Sequence, residues 1–145
     1  MRVIYGTQGG TTRKVAQRLA RILGQVPCDD VRVLHQPGVT FSPTDLVVCS
    51  PTYGDAELEN SMETFLMTHD WSRWKGRRFA ICEVGIYTGY EEFGHGLCAP
   101  IRHLLTAAGM IECFEPLAVD AAPLAEDELA EAWATQLSRL ILDQT

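Results

Sequence analysis

Hydrophobic residues alternate along the chain between short continuous runs and segments in which they recur every three or four positions. Continuous runs are typical of buried parallel strands, whereas the wider spacing predicts amphipathic helices. The predicted strands are Arg2–Tyr5, Val31–Leu34, 46–50, 79–84 and 111–117, and the predicted helices are 12–23, Asn60–Thr68, 97–108 and 129–141. Strands that alternate with helices predict one α/β domain over residues 1–145, with a parallel sheet covered on both faces.

The composition is that of a soluble globular protein and excludes some partners. Hydrophobic residues make up 46% and charged residues 21% of the 145 positions. The formal net charge of −7 argues against binding of nucleic acid, which requires a basic surface, and suits attraction to a basic protein. The apolar runs are too short to span a membrane, and the chain opens with a strand rather than a signal peptide.

The chain contains five cysteines, an odd number, and none of them forms a CxxC pair. Cys49, Cys82 and Cys113 lie in apolar, strand-like runs and are predicted to be buried thiols of the core. A set of unpaired thiols favours a reducing compartment, so we expect the protein in the cytoplasm.

The loop after the first strand is rich in glycine and threonine. It contains Thr7, Gln8, Gly9, Gly10, Thr11 and Thr12 and leads directly into a helix. Glycines allow a backbone to close around a small anion, and hydroxyls and the free N–H groups of a helix N-terminus can donate hydrogen bonds to it. The loop therefore predicts a phosphate site, although a glycine turn before a helix, without a ligand, fits it as well. It matches neither a Walker loop nor a GxGxxG fingerprint.

Two later loops bring aromatic side chains to the same edge of the predicted sheet. The loop after the third strand contains Ser50, Pro51, Thr52, Tyr53, Gly54 and Asp55, and the loop after the fourth contains Gly85, Tyr87, Tyr90 and Phe93. Tyrosine presents a flat face on which a ring can stack. One such loop is common as an ordinary turn, but three in succession indicate a shared site at the carboxyl ends of the strands.

Together the three loops resemble those of the flavodoxin family, and the likeness covers nearly the whole chain. The first is similar to the family's phosphate loop, the second to its Pro-Thr-aromatic-Gly-Asp loop and the third to its Gly-Asp loop, which ends in an aromatic residue. Two departures stand out: Gly9 replaces a hydroxyl residue, and the third loop lacks the usual aspartate. The resemblance is to short-chain flavodoxins and to the FMN domains of diflavin reductases. It implies a three-layer sandwich with a five-stranded parallel sheet in the order 2-1-3-4-5.

The resemblance implies that the chain binds FMN. The first loop would hold the phosphate, Tyr53 and Tyr90 would flank the isoalloxazine ring, and the Gly54–Asp55 peptide would turn to meet the reduced ring. Backbone groups at the end of the fourth strand would meet the pyrimidine edge. The implied cofactor-binding residues are Thr7, Gln8, Gly9, Gly10, Thr11, Thr12, Ser50, Pro51, Thr52, Tyr53, Gly54, Asp55, Val84, Gly85, Tyr87, Tyr90 and Phe93.

The implied function is that of a low-potential electron carrier, a monomer that shuttles single electrons through the semiquinone/hydroquinone couple. Carboxylates are expected around the ring edge at Asp55, Glu57, Glu59, Glu63, Glu91 and Glu92. Their charge disfavours the anionic hydroquinone and so lowers the second potential. The same acidic edge would dock a flavodoxin reductase-type donor and an acceptor enzyme.

Two other functions stay open: a flavin-dependent quinone reductase, and a flavodoxin-like interaction domain without a flavin. A receiver domain is disfavoured because the first strand ends in Tyr5, Gly6 and Thr7 rather than in paired acids. A phosphatase is disfavoured because the first loop holds no cysteine or aspartate nucleophile. The histidines show no spacing typical of metal ligands, so no metal is expected; they are His35, His69, His95 and His103.

Overall fold

The computed structural model describes residues 1–7, 10–53, 57–85, 98–120 and 127–143. Its elements in chain order are β1 (Arg2–Tyr5), α1 (Thr11–Ile22), β2 (Cys28–Asp30), α2 (Val31–Leu34), β3 (Leu46–Tyr53), β4 (Glu57–Leu58), α3 (Asn60–Thr68), β5 (Arg78–Gly85), α4 (Cys98–Ala107), β6 (Ile111–Glu112), β7 (Leu117–Asp120) and α5 (Asp127–Asp143). Within these ranges, no helix has the length and apolar character needed to cross a membrane.

The strands form one sheet in the order β2-β1-β3-β5, with β6 and β7 both paired to the outer side of β5. These pairings are parallel, and only the short β4 runs antiparallel, against the end of β3. The expected order of a five-stranded flavodoxin-like sheet is therefore confirmed. Its consequence for the site is that β1, β3 and β5 end side by side, with Tyr5 opposite Cys49 and Cys49 opposite Cys82.

The prediction of a strand at Val31–Leu34 is wrong, because this segment is the short helix α2. The second strand lies just before it, at Cys28–Asp30, and is half-buried rather than apolar. Asp30 ends the strand and caps the helix, since its carboxylate accepts a hydrogen bond from the backbone N–H of Arg32 at 2.9 Å. A strand at the edge of a sheet needs few apolar side chains. The apolar run that predicted a strand here is instead the buried face of the helix α2.

The predicted fifth strand, 111–117, is divided into two short strands, β6 and β7. Both pair with β5, β6 at its start and β7 near its end. Between them lies Pro116, which has no N–H to donate to a ladder. Cys113, in the same interval, is only half-buried, whereas Cys49 and Cys82 are fully buried as predicted. A hydrogen bond with Cys82 and burial raise the pKa of Cys49, which disfavours the nucleophilic thiolate form.

Apolar side chains fill both faces of the sheet, as expected. Ile4, Val48 and Ile81 point to one face and pack with residues of α3 and α4. Val3, Val47 and Cys82 point to the other face and pack with residues of α1 and α5. Because side chains alternate along a strand, each strand residue belongs to one of these two faces.

An aromatic cluster closes the core where α3 ends. His69 stacks on Phe65, with ring centroids 5.1 Å apart, and meets Trp71 edge-on at 4.7 Å. Phe41 and Trp74 complete the cluster, with centroids 4.7 Å apart. Burial lowers the pKa of His69, and the negative charge of Asp70 opposes this effect. Neutral His69 is therefore the form that the fold favours.

We expect the free energy of unfolding to decrease as the pH falls below about 6.5, the pKa of a histidine in an unfolded chain. The unfolded chain binds the His69 proton first, so stability is present above this pH and is lost toward the lower folded pKa. The slope can reach about 1.4 kcal/mol per pH unit. Urea unfolding between pH 5 and 8 measures it.

The matched control is His103, which is exposed on α4. His103→Gln should retain the wild-type dependence, while His69→Phe should remove most of it. If His69→Phe kept the full slope, the effect would belong to other groups.

Candidate functional site

The buried polar and charged side chains of the described ranges lie together at the carboxyl ends of the strands. They are Thr7, Thr12, Ser50, Glu59 and Glu83, and each is at most 3% exposed. Buried polar groups are costly unless they have partners. Their concentration at one edge of an otherwise apolar interior identifies that edge as the candidate site.

The first loop approaches α1 through a backbone conformation that favours glycine. Gly10 precedes the helix with φ of +87°, in the left-handed region. Its N–H donates a 2.9 Å hydrogen bond to the hydroxyl of Thr7, which is buried. A residue with a side chain would be strained at this position. Gly10 therefore leads into α1 in a conformation that presents its own backbone N–H toward Thr7.

The N-terminus of α1 has neither a side-chain cap nor an acidic residue in its first turn. The first helical bond that the structure gives is from the N–H of Lys14 to the carbonyl of Gly10, at 3.3 Å. By helix geometry the N–H groups of Thr11, Thr12 and Arg13 have no acceptor within the helix. This end of the helix thus carries a partial positive charge and free donors, which is the arrangement that binds phosphate.

The exposed cations of the first turn, Arg13 and Lys14, do not oppose this role. Burial raises the pKa of Tyr5, at the end of β1, and the positive charge of Arg13 acts in the opposite direction. The positive charge of the first turn of α1 thus lies at the surface, near the end of β1.

Glu59 has a structural role that differs from the one expected. It was predicted among the carboxylates of the ring edge, but it is buried and caps α3. Its carboxylate accepts hydrogen bonds from the backbone N–H groups of Ser61, at 3.0 Å, and of Met62, at 2.9 Å. The carboxylate also lies against Gly6, where a Cβ would collide with it and would stand 3.0 Å from the Cβ of Met62. Because Gly6 has no side chain, its backbone can lie directly against the first turn of α3.

Ser50 and Glu83 are neighbours on β3 and β5. They are paired in the ladder and lie on the same face of the sheet. Ser50 is fully buried, and its hydroxyl has no hydrogen-bond partner among the residues that the structure describes. Since an unpaired buried hydroxyl costs free energy, it marks a place where a ligand group can bind. The uncapped N-terminus of α1 can bind a phosphate, and the unpaired hydroxyl of Ser50 can bind a second polar group. Together they suit a ligand that carries both a phosphate and polar groups.

The structure brings the predicted site residues that it describes to one edge. Those at or beside the ends of β1, β3 and β5 are Thr7, Gly10, Thr11, Thr12, Ser50, Pro51, Thr52, Tyr53, Val84 and Gly85. The others lie outside the described residues: Gln8, Gly9, Gly54, Asp55, Tyr87, Tyr90 and Phe93. The backbones of Thr52 and Tyr53 pair with Leu58 and Glu57 of β4, so the chain runs back along β3 before α3 begins. Ligand binding by these residues stays a prediction.

Glu83 is a buried residue at this edge that the sequence patterns did not single out. The residue lies in the apolar run 79–84, where a single ionisable side chain among hydrophobic neighbours was a usable signal. Charged residues are almost never fully buried unless they are paired, so a glutamate within an apolar strand indicates a specific contact or role. Of the other expected carboxylates, Glu57 lies on β4, Glu63 is exposed on α3, and Asp55, Glu91 and Glu92 lie outside the described residues.

Comparison with known proteins gives consistent relatives. The family model for flavodoxin matches residues 3–133. Flavodoxin 1 of Azotobacter vinelandii is 28% identical over 96 residues, which cover 62% of this chain and only 55% of that relative. The chain thus spans little more than half of that relative's length.

Solved structures of flavodoxins superpose on nearly the whole chain. An engineered variant from Pseudomonas aeruginosa has a TM-score of 0.76 at 19% identity, covering 98% of this chain and 99% of that one. Oxidised flavodoxin 1 from Bacillus cereus has a TM-score of 0.74 at 15% identity, covering 99% and 97%. A variant from Fusobacterium nucleatum, bound to flavin mononucleotide, has a TM-score of 0.72 at 15% identity, covering 99% and 95%.

At these identities the structural neighbours establish the fold alone. The family model adds sequence evidence across most of the chain, including β1, the first loop, α1 and β3 to β7. The sheet order and the family model agree. The chain belongs to the flavodoxin family.

Proposed function

We propose that this protein binds FMN and carries single electrons at low potential between a reductase-type donor and acceptor enzymes. The observation that supports it best is the free N-terminus of α1, reached through Gly10 at a φ of +87° and without a side-chain cap. Membership of the flavodoxin family supports FMN as the ligand and electron transfer as the activity. The Fusobacterium nucleatum relative is described as bound to this flavin.

In this proposal the N–H groups at the start of α1 and the hydroxyls of Thr7, Thr11 and Thr12 would hold the phosphate of FMN. Ser50 would offer its buried hydroxyl to the cofactor beside them. Tyr53 and Tyr90 would flank the ring and exclude water, as the family resemblance implies. When bound, FMN supplies one- and two-electron redox chemistry, whose potential the protein sets.

The proposed partners are proteins with basic surfaces. The net charge of −7 and acidic residues near the site, such as Glu63 on α3, favour their approach through a small, salt-sensitive interface. We propose a monomer, because docking requires a free edge at the flavin. The cytoplasm is proposed as its compartment, since Cys28, Cys49, Cys82 and Cys113 are free thiols.

Stepwise reduction of the purified holoprotein tests the proposed function. We expect FMN to be reduced in two separated one-electron steps under dithionite, with the one-electron form accumulating in the visible spectrum. Negative charge near the ring makes the second step harder, which separates the two potentials. A single two-electron step, together with rapid NAD(P)H oxidation by the protein alone, would instead identify a reductase.

Gly10→Ala should weaken FMN binding at least tenfold, because alanine at a φ of +87° must move the backbone that presents the N–H groups of α1. The matched control is Gly24→Ala at the other end of α1, where φ is +104°. At both positions a Cβ would meet nothing within 4 Å. Each variant should lose about 1–2 kcal/mol of stability through backbone strain.

Urea unfolding of the apoprotein and fluorescence titration with FMN measure the two effects. FMN affinity should fall only in Gly10→Ala. Equal affinities in the two variants would mean that the start of α1 does not bind the cofactor.

A further inference from the structure

The loop between α3 and β5, residues 70–77, carries three exposed cations, Arg73, Lys75 and Arg77. We refer to it as the basic loop. The whole chain has 12 lysines and arginines against 19 aspartates and glutamates. Three exposed cations so close together therefore reverse, at one place, the negative charge of the molecule. The proposed function makes no use of them.

The basic loop lies at the amino end of the sheet, away from the candidate site. It leads directly into Arg78, the first residue of β5, whereas Gly85 ends this strand at the site. The eight residues of β5 separate its two ends by about 23 Å, at a rise of about 3.3 Å per residue. A partner that contacts the basic loop would therefore leave the candidate site open.

Two buried tryptophans anchor the basic loop to the core. Trp71 and Trp74 are 8% and 1% exposed, and both belong to the aromatic cluster. The N–H of Trp74 donates to the carbonyl of Trp71 at 3.0 Å, and the N–H of Arg77 donates to the carbonyl of Trp74 at 3.0 Å. The cations are thus presented by a backbone that is already held in place, so little conformational freedom of the loop is lost when a partner binds.

The basic loop is also tied to the segment that leads into β6. The N–H of Gly76 donates to the carbonyl of Gly109 at 2.9 Å, and the N–H of Ile111 donates to the carbonyl of Arg77 at 2.8 Å. The stem of Lys75 lies against Gly109, where a Cβ would stand 2.9 Å from the Cγ of the lysine. A lysine that packs its stem in this way while the residue stays exposed presents its charge to solvent at a defined place.

The acidic residues at this end of the sheet do not neutralise the loop. Asp45 forms an ion pair with Arg78 at 2.7 Å, and Glu112 forms one with Arg102 at 2.6 Å. Asp70 is the one acidic residue of the loop itself, and its charge offsets only one of the three. Within the described part of the chain, the structure gives no ion pair to any of the three exposed cations. Their charges are available to a partner.

We propose that the basic loop binds an acidic segment of a partner protein and holds that partner while the candidate site stays free. Arginine donates paired hydrogen bonds to a carboxylate, and the lysine adds a third cation. Three cations are fewer than the cluster of about four to eight that is typical of binding to anionic lipids. The net charge of −7 disfavours nucleic acid. An acidic protein segment is the partner that these charges favour.

The use of such a contact rests on the proposed function. A carrier of electrons must expose its flavin edge to a donor and to an acceptor in turn. A contact at the opposite end of the sheet keeps the carrier beside one of them and raises the effective concentration for the encounter at the flavin edge. The two ends of the molecule would then select partner surfaces of opposite charge.

Fluorescence anisotropy of a labelled octaglutamate peptide, titrated with the FMN-loaded protein in a low-salt buffer, tests this binding. The double substitution Arg73→Gln/Arg77→Gln should weaken it at least tenfold, because it removes both groups that bind carboxylates in pairs. The control Arg21→Gln/Arg139→Gln removes the same charge from exposed positions on α1 and α5, the helices on the other face of the sheet. The control should retain the wild-type affinity.

No binding by the wild-type protein, or equal losses in the two double variants, would overturn the inference. So would a peptide that displaces FMN or changes its absorption spectrum, because it would then occupy the candidate site. If the protein does not bind FMN, the proposed function fails, and the same titration of the flavin-free protein still decides whether the basic loop binds the peptide.

The same variants distinguish the other occupants of this surface. Tighter binding of the protein to vesicles of phosphatidylserine and phosphatidylcholine, or to an oligothymidylate, than to octaglutamate would contradict an acidic protein segment. Self-association of the protein that Arg73→Gln/Arg77→Gln abolishes would assign the surface to a second copy of this chain and would overturn the inference as well.

Carbodiimide cross-linking of octaglutamate to the wild-type protein requires no variant to fold. The reagent joins a carboxylate to an amine, and the lysines of the chain are Lys75 in the basic loop and Lys14 at the start of α1. Mass spectrometry of the digested product should find the peptide mainly on Lys75. Equal cross-linking of both lysines, or of neither, would contradict the inference.

Discussion

The start of α1 imposes the main constraint on this molecule. Its backbone N–H groups have no acceptor in the helix, no side chain caps them, and no acidic residue neutralises the helix dipole. A helix end of this kind is stable when it is hydrated or bound to an anion. The parallel sheet places it beside the ends of β1, β3 and β5, so a ligand held there by a phosphate would also meet the loops that follow β3 and β5.

The two ends of the sheet differ in how their polar groups are satisfied. At the amino end, Arg78 holds Asp45 through a backbone hydrogen bond of 3.0 Å and an ion pair of 2.7 Å, and the aromatic cluster closes the core. At the carboxyl end, Ser50 has an unpaired hydroxyl, and Glu83 is buried beside it. The charged groups Asp45 and Arg78 at the amino end are thus paired with each other, whereas the Ser50 hydroxyl at the carboxyl end can still bind a ligand group. Also at the carboxyl end, the carboxylate that caps α3 lies in the space that a side chain at Gly6 would occupy.

The sequence predicted the architecture well where the apolar signal was strong, as in β1, β3, β5 and α3. It failed at the sheet edges. The strand Cys28–Asp30 is polar because one side of it has no neighbouring strand, and the apolar residues Val31 and Leu34 belong to a helix turn. The outermost position next to β5 is shared by two short strands, which a single apolar run could not reveal.

The composition of the loops predicted the part of the candidate site that the loops form. Glycine and threonine after β1 predicted a phosphate loop; the structure shows a hydrogen bond from Gly10 to Thr7, and phosphate binding there stays a prediction. The roles of buried carboxylates could not be predicted, because they depend on packing between distant segments. Glu59 became a helix cap rather than a surface charge, and Glu83 was hidden in an apolar strand.

The affinity of the apoprotein for FMN relative to riboflavin, measured by titration calorimetry, tests the central claim most directly. The two ligands share the ring and the ribityl chain and differ only in the phosphate. If the start of α1 holds that phosphate, FMN should bind at least a hundredfold more tightly, which is about 2.7 kcal/mol, and inorganic phosphate should compete with it. Equal affinity for both ligands, or no binding of either, would contradict the account.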